Sequence, residues 1–391
     1  MRLFSAFFLL LIFSNTSLLV AQSINPNWIR SVAWNSAGTQ ISFATQVGNI
    51  QVLDIATGDI ILALKFDGIA IYPLAWKPHS TQLAVGTSNE TQILDVATGQ
   101  IISTLPKPRS ARNLSWSEDG TQFVTAAYSY PDNVIVWDTA SEKIVFSPVV
   151  GDILSVALSP DKTILAIGRF GEIEFWDVAT QQQVMTLEPA GDVLDMAWSP
   201  DGSQIASSYA YTSEAVIWDA DTGKRLKTFK GHTDSIHSVE WSPLGDMLVT
   251  ASSDHTVRIW DVASGKELVL YRSQDSIFGA SFSPYGGRLM FGVTVTENNT
   301  NSLIETNSKE VVHPLADGAI QIVVPVPSLE KLQSIQGNCV PANALASLPP
   351  IETLDTDDAL IAYIEAVDAN TTIPLGCAAD LVAIAEALHA Q

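Results

Sequence analysis

Apolar and polar residues alternate along most of this chain in runs of four to seven, and turn-forming residues separate the runs at regular intervals. Alternation with a period of two predicts half-buried strands, because successive side chains point to opposite faces of a sheet. The pattern is clearest between residues 235 and 271. Ser235 to Trp241 is an apolar-rich strand, and Ser242-Pro243-Leu244-Gly245 places Pro and Gly where a type I turn favours them. Met247 to Ala251 and Thr256 to Trp260 follow, joined by Ser253-Asp254-His255, and Ala263-Ser264-Gly265 turns into Glu267 to Tyr271. One such stretch makes four short strands.

The unit recurs. An aromatic or apolar anchor followed by a turn stands at Trp34, Trp76, Trp116, Leu158, Trp198, Trp241 and Phe282, every 40 to 43 residues. About twenty residues after each anchor comes an apolar–acidic pair: Leu53-Asp54, Leu94-Asp95, Trp137-Asp138, Trp176-Asp177, Trp218-Asp219, Trp260-Asp261 and a degenerate Ile304-Glu305. Two markers in step over seven copies predict seven four-stranded sheets. A lone four-stranded sheet cannot cover both of its faces, so neighbours must stack, and radial stacking closes them into a ring.

On these residues, Trp28 to about Ala316 resembles the WD-repeat (tryptophan–aspartate) β-propeller family. The Trp-Asp pairs, the Ser-Pro-Asp-Gly turn at Ser199 to Gly202 and the Gly231-His232 dipeptide carry the resemblance. The fold class expected is all-β, a seven-bladed propeller over residues 22–327 followed by a small helical segment over 328–391. In the sixth repeat the resemblance implies a buried hydrogen-bond network of His232, Asp254 and Trp260 with a hydroxyl from Thr250 or Ser252. Each of those polar groups would cost about 1–3 kcal/mol if left unpaired. The other repeats lack Gly-His, and Leu replaces Trp in the first two pairs, so they are expected to be held by apolar packing. Both Ser23–Trp28 and Ala319–Val326 are candidates for the strand that closes the ring.

The two ends read differently. Met1-Arg2, the apolar run Leu3 to Phe13 and small Ala21 before Gln22 fit a secretory signal over residues 1–21, which makes the expected location extracytoplasmic. An uncleaved anchor is the alternative, since Leu3 to Ala21 is just long enough to span a bilayer. No other stretch could enter a membrane. Residues 328–391 are rich in Ala and Leu and carry nine acids against the single Lys331. Helical periodicity runs through Leu329–Gln336, Asp357–Val367 and Ala378–Ala390. The only two cysteines, Cys339 and Cys377, lie in this segment, and in an exported chain such a pair predicts a disulfide.

Charge and chemistry narrow the function. The net charge is −22, and no basic stripe of the kind that nucleic-acid binding requires is visible in the sequence. The six histidines are dispersed, and no nucleophile elbow, phosphate-cradling loop or zinc-binding helix is present. No catalytic residue, cofactor or metal is therefore expected, and the expectation is a protein-interaction scaffold rather than an enzyme. A small-ligand or enzymatic site in the central channel is the alternative. The binding face is expected on loops between second and third strands. Tyr128 and Tyr130 of repeat three, Arg169 and Phe170 of repeat four, and Tyr209 and Tyr211 of repeat five would form one sector of aromatic and Arg side chains. Those types dominate interface energetics.

Overall fold

A computed structural model describes residues 29–45, 48–66, 71–105, 111–127, 134–148, 151–273, 276–293, 304–305, 311–312, 319–323, 329–345, 348–349, 351, 357–370 and 372–389. The expected signal segment lies outside them.

The strands pair within each repeat before they pair with anything else. Blade one is the antiparallel sequence Ile29–Trp34, Gln40–Thr45, Asn49–Asp54 and Ile60–Lys65. Five further four-stranded sheets begin at Ile71–Trp76, Ala111–Trp116, Ser155–Leu158, Val193–Trp198 and Ile236–Trp241. Second strands are almost wholly buried, as in Gln122–Ala127, because both of their faces lie against neighbouring sheets. In all six blades the third and fourth strands slip register at the apolar residue of the apolar–acidic pair, at Leu53, Leu94, Trp137, Trp176, Trp218 and Trp260. Such a bulge bends the strand and re-aims one side chain.

Among the described residues there are six complete four-stranded blades, not the seven expected. The seventh repeat yields a three-stranded sheet of Ala280–Phe282, Leu289–Val293 and Ala319–Val323. Its third strand lies within Ala319–Val326, one of the two candidates for closing the ring; the other, Ser23–Trp28, lies outside the described residues. The degenerate Ile304-Glu305 pair instead forms a two-stranded ribbon with Val311-Val312. A weak marker in a blade with an insertion was assigned to the wrong strand.

Successive first strands lie side by side and line the central channel. Where a first strand ends in tryptophan, the indole joins its blade to the one before. Trp76 donates its indole N–H to the Ala33 carbonyl (3.2 Å), Trp116 to Ala75 (3.1 Å), Trp198 to Ala157 (3.0 Å) and Trp241 to Ala197 (3.0 Å). Trp34 does the same to Ser281 of the three-stranded sheet, at 3.2 Å, which closes the ring.

The C-terminal segment forms helices α1 (Leu329–Cys339), α2 (Ala342–Leu345), α3 (Asp357–Ala369) and α4 (Leu375–His389). They share a core of Leu332, Ile335, Tyr363, Val367, Leu381 and Ile384, and Tyr285 of the seventh sheet packs onto it. A disulfide joins Cys339 of α1 to Cys377 of α4. The unit sits over the junction of sheets seven and one. Buried Asp380 accepts from the Arg288 Nε (2.5 Å), the Ser283 hydroxyl (2.5 Å) and the Gly287 amide (2.9 Å). The same guanidinium donates to the Gly38 carbonyl at 3.0 Å and lies 4.8 Å from the centre of the Trp34 ring. A Cβ on Gly376 would fall 1.8 Å from the Ala37 carbonyl oxygen, so only glycine allows α4 this close approach. Among the described residues, no helix is long and apolar enough to cross a membrane.

Candidate functional site

Polar groups inside the blades must find partners among themselves, and blade six shows how. The His232 Nδ1 lies 2.8 Å from Asp254, and its Nε2 lies 2.7 Å from the Thr250 hydroxyl. That hydroxyl also accepts from the Trp260 indole at 2.9 Å. Thr250 is thus the network hydroxyl, while Ser252 donates to the Ser235 carbonyl and accepts from the Asp254 amide. Thr256, which sequence reasoning missed, donates to Asp254 at 2.6 Å. Burial opposes ionisation of Asp254, but the bonds from His232 and Thr256 outweigh it and hold the carboxyl well below the usual carboxylate range.

The expectation that the other blades rely on apolar packing alone is corrected for three of them. The Trp137 indole donates to Thr125 (3.0 Å) and the Trp176 indole to Glu174 (2.9 Å). The Trp218 indole donates to Ser207 (2.9 Å) and to the Tyr209 hydroxyl (3.2 Å). A phenol in blade five therefore does part of what imidazole does in blade six.

The expected binding sector is correspondingly smaller. Tyr128 and Tyr130 fall outside the described residues. Tyr209 ends its strand, is buried, and has its ionisation pushed up to about 12 by that burial, so it cannot contact a partner. Arg169 bonds to Glu174 and Glu172 of its own blade. The acids that neutralise its charge sit three and five residues on in the same blade. Two residues remain outside: Phe170 is 49% exposed and Tyr211 is 87% exposed. Tyr211 and Ser213 both take positive φ, 66° and 56°. For non-glycine residues that conformation costs about 1–2 kcal/mol each. Tyr211 is therefore exposed in a loop whose backbone departs from its local preference.

The channel contains two carboxyls of unusual acidity. Asp195 accepts from the Met196 amide (2.9 Å) and from the Val239 amide of the next blade (3.0 Å), and burial pushes its pKa up to about 7. Glu240 accepts from the Phe282 amide (3.0 Å) and the Ser281 hydroxyl (3.2 Å), and burial pushes it up to about 8. Each retains some surface toward the channel. Both bridge adjacent first strands. The sequence signal was present, since each is an acid inside an apolar first strand. The acids of the apolar–acidic pairs carry a clearer signal, with Thr or Ser three residues later. In each of the six complete blades that acid caps its own turn, as Asp219 does by accepting from the Thr222 amide at 2.8 Å. Among the described residues no group of three or more His, Cys, Asp or Glu side chains could hold a metal.

Comparison with known proteins follows the same lines. Residues 223–261, the stretch that ends on Trp260-Asp261, match the model for the WD domain, G-beta repeat. Residues 99–216 match the model for eukaryotic translation initiation factor eIF2A. The chain is 24% identical over 262 residues to Protein FIZZY-RELATED 2 of Arabidopsis thaliana, covering 64% of this chain and 53% of the relative. It is 26% identical over 248 residues to the anaphase-promoting complex subunit cdc20 of Dictyostelium discoideum, covering 60% and 49%. Protein groucho of Drosophila melanogaster is 31% identical over 147 residues, covering 36% of this chain and 20% of that protein. The chain spans about half the length of the first two. The expected export is overturned by these relatives. A subunit of the anaphase-promoting complex, and a B-type cell cycle switch protein of Medicago truncatula at 25% identity, belong to cell-cycle control, an intracellular process.

Proposed function

We propose that this WD-repeat β-propeller is a protein-interaction scaffold without catalytic activity, and that it holds its partner on the loops of blades four and five. The observation that carries this reading is the pair Phe170 and Tyr211, large aromatic side chains held outward on adjacent blades. Aromatic rings bury large area with few rotatable bonds, so they give much of the affinity at many interfaces. The resemblance to the anaphase-promoting complex subunit cdc20, itself part of an assembly, supports the same reading.

The test is a comparison of wild type with Phe170→Ala/Tyr211→Ala in partner capture, with melting temperature as the control. Loss of the partner at an unchanged melting temperature is the expected result. Retention of the partner would move the interface elsewhere.

A second reading places a small ligand in the channel, and the raised Asp195 and Glu240 favour it. Their hydrogen bonds weigh against it. Both Asp195 oxygens are occupied by backbone amides, and one Glu240 oxygen takes two donors from the next blade. These carboxyls serve as clamps between blades.

A further inference from the structure

The outer strand of each complete blade pairs on one side only, and its charge differs around the ring. In blades one, three and six, Ile60–Lys65, Lys143–Phe146 and Glu267–Arg272 carry one cation apiece, while Gln100–Leu105 and Gln182–Leu187 carry none. Arg225–Lys230 of blade five carries three, Arg225, Lys227 and Lys230, and no acid. A charge on an open edge discourages pairing with another sheet. The other blades meet that need with one cation or none.

The neighbours of this strand extend the patch. Lys224 precedes it, and blade six adds Arg258, Lys266 and Arg272, so seven of the chain's 20 Lys and Arg fall within residues 224–272. The two blades meet here: Lys227 Nζ donates to the Val262 and Ala263 carbonyls at 2.5 Å each, and a Cβ on Gly231 would fall 2.7 Å from the Arg258 guanidinium. The nearby carboxylates do not balance the cations. Arg225 Nη2 (2.9 Å) and Lys230 Nζ (2.8 Å) share the single carboxylate of Glu214, and Glu267 is taken by Arg258. Asp219 and Asp261 cap their own turns. Exposed Asp221 is on the same turn as Lys224, but Lys224, Lys266 and Arg272 have no ion pair among the described residues. Leu226 and Leu268 add exposed apolar surface between the charges.

We propose that the outer edge of blades five and six is a docking surface for an acidic segment of a partner protein, laid along Arg225–Lys230 with an apolar side chain on Leu226. Arg225 and Lys230 reach the same Glu214 carboxylate, so they stand on one side of the strand and receive the segment's carboxylates together. A polypeptide with a few localised carboxylates suits this edge better than a nucleic acid. Glu214, Asp221 and Glu267 interrupt any stripe that could track a phosphate backbone, and the net charge of −22 repels a long polyanion. The surface uses neither Phe170 nor Tyr211, so it stands whether or not the loops of blades four and five hold a partner.

The probe is a fluorescein-labelled, amidated nonapeptide of alternating glutamate and threonine with a central leucine, followed by fluorescence anisotropy against the full chain. Its counterpart carries glutamine in place of glutamate. We expect saturable binding of the acidic peptide and binding about tenfold weaker, or worse, for the counterpart. Binding should also weaken as salt rises from about 0.01 M to about 0.1 M, where the screening length shortens from about 30 Å to about 10 Å. Arg225→Gln/Lys230→Gln should abolish binding at a nearly unchanged melting temperature, because exposed ion pairs contribute little to stability. Lys224→Gln/Lys266→Gln, which breaks no ion pair among the described residues, should weaken it in part. Lys65→Gln/Lys143→Gln removes the same charge from other edges and should bind like wild type, as should Phe170→Ala/Tyr211→Ala. No binding by wild type would overturn the proposal, as would unchanged binding in both blade-five and blade-six variants. Equal loss in Lys65→Gln/Lys143→Gln would do the same, leaving only the field of the whole chain. Tighter binding of an oligothymidylate of equal charge would make the surface a phosphate binder instead. Self-association that Arg225→Gln/Lys230→Gln abolishes would assign it to a second copy, and either result would end the proposal.

Discussion

At the scale of single residues, the polar groups inside this protein act mainly by satisfying one another. Asp254 receives His232, Thr256 and the Thr233 amide, so Asp254→Ala strands several buried donors at once. A loss of about 1–3 kcal/mol is expected in denaturant unfolding, with partner binding intact. Tyr209→Phe removes one acceptor from the Trp218 indole and should cost about 1 kcal/mol by the same measurement. An effect of Tyr209→Phe on partner capture would instead show that the phenol reaches the surface. Asp195 and Glu240 give a pH dependence of definite sign. Their pKa values rise from the ordinary carboxylate range near 4 to about 7 and about 8 on folding. Between those limits the folded state binds more protons than the unfolded chain, so stability falls as pH rises from about 4 to about 8. His237, whose ionisation burial depresses, works in the opposite sense below its ordinary value near 6.5. The melting temperature should therefore be lower at about pH 8.5 than at about pH 6.5, and Asp195→Asn/Glu240→Gln should flatten that difference.

Each blade, as an element, is built twice over: once by its own antiparallel ladder and once by its attachment to the preceding blade. The repeated register slip before the apolar–acidic pair places an indole inward in blades three to six and leaves the adjacent acid to cap the next turn. The indoles that end the first strands then join neighbouring blades through backbone carbonyls. Trp116→Phe keeps most of the apolar area but deletes the donor to Ala75. It should cost about 0.5–1.5 kcal/mol, and amide exchange should accelerate first at the junction of blades two and three. Exchange that accelerates evenly over the ring would mean that the junction is no weaker than the blades themselves. Blade four has Leu158 at this position, and there Asn113 and Ser155, 3.4 Å apart, link its first strand to that of blade three.

For the whole molecule the critical place is the junction of the three-stranded seventh sheet with blade one. Trp34 joins the two sheets, and α4 inserts Asp380 against Arg288 from outside. A buried charge without its partner is strongly destabilising, by about 3–5 kcal/mol. Asp380→Ala should therefore lower stability by that amount, and limited proteolysis should release the helical unit first. Reduction of the Cys339–Cys377 bond should loosen α1 and α4 while circular dichroism still reports the strands. Loss of the strand signal on reduction would show that the ring depends on this unit throughout. Much of this architecture was legible in the chain itself. Strand period, turn residues and the forty-residue recurrence are local properties, so they determined the repeat, the four-strand unit and the helical nature of the last sixty residues. The blade-six network was not read from periodicity but implied by the family resemblance, whose residues His232, Asp254 and Trp260 fall within one repeat. What only the tertiary structure decided involves pairs far apart in sequence. Asp380 meets Arg288 across 92 residues and Trp34 meets Ser281 across 247. No periodicity reports such contacts. The sequence could not show that Tyr209 turns inward while Tyr211 turns outward, because one backbone step at a strand end sets that choice.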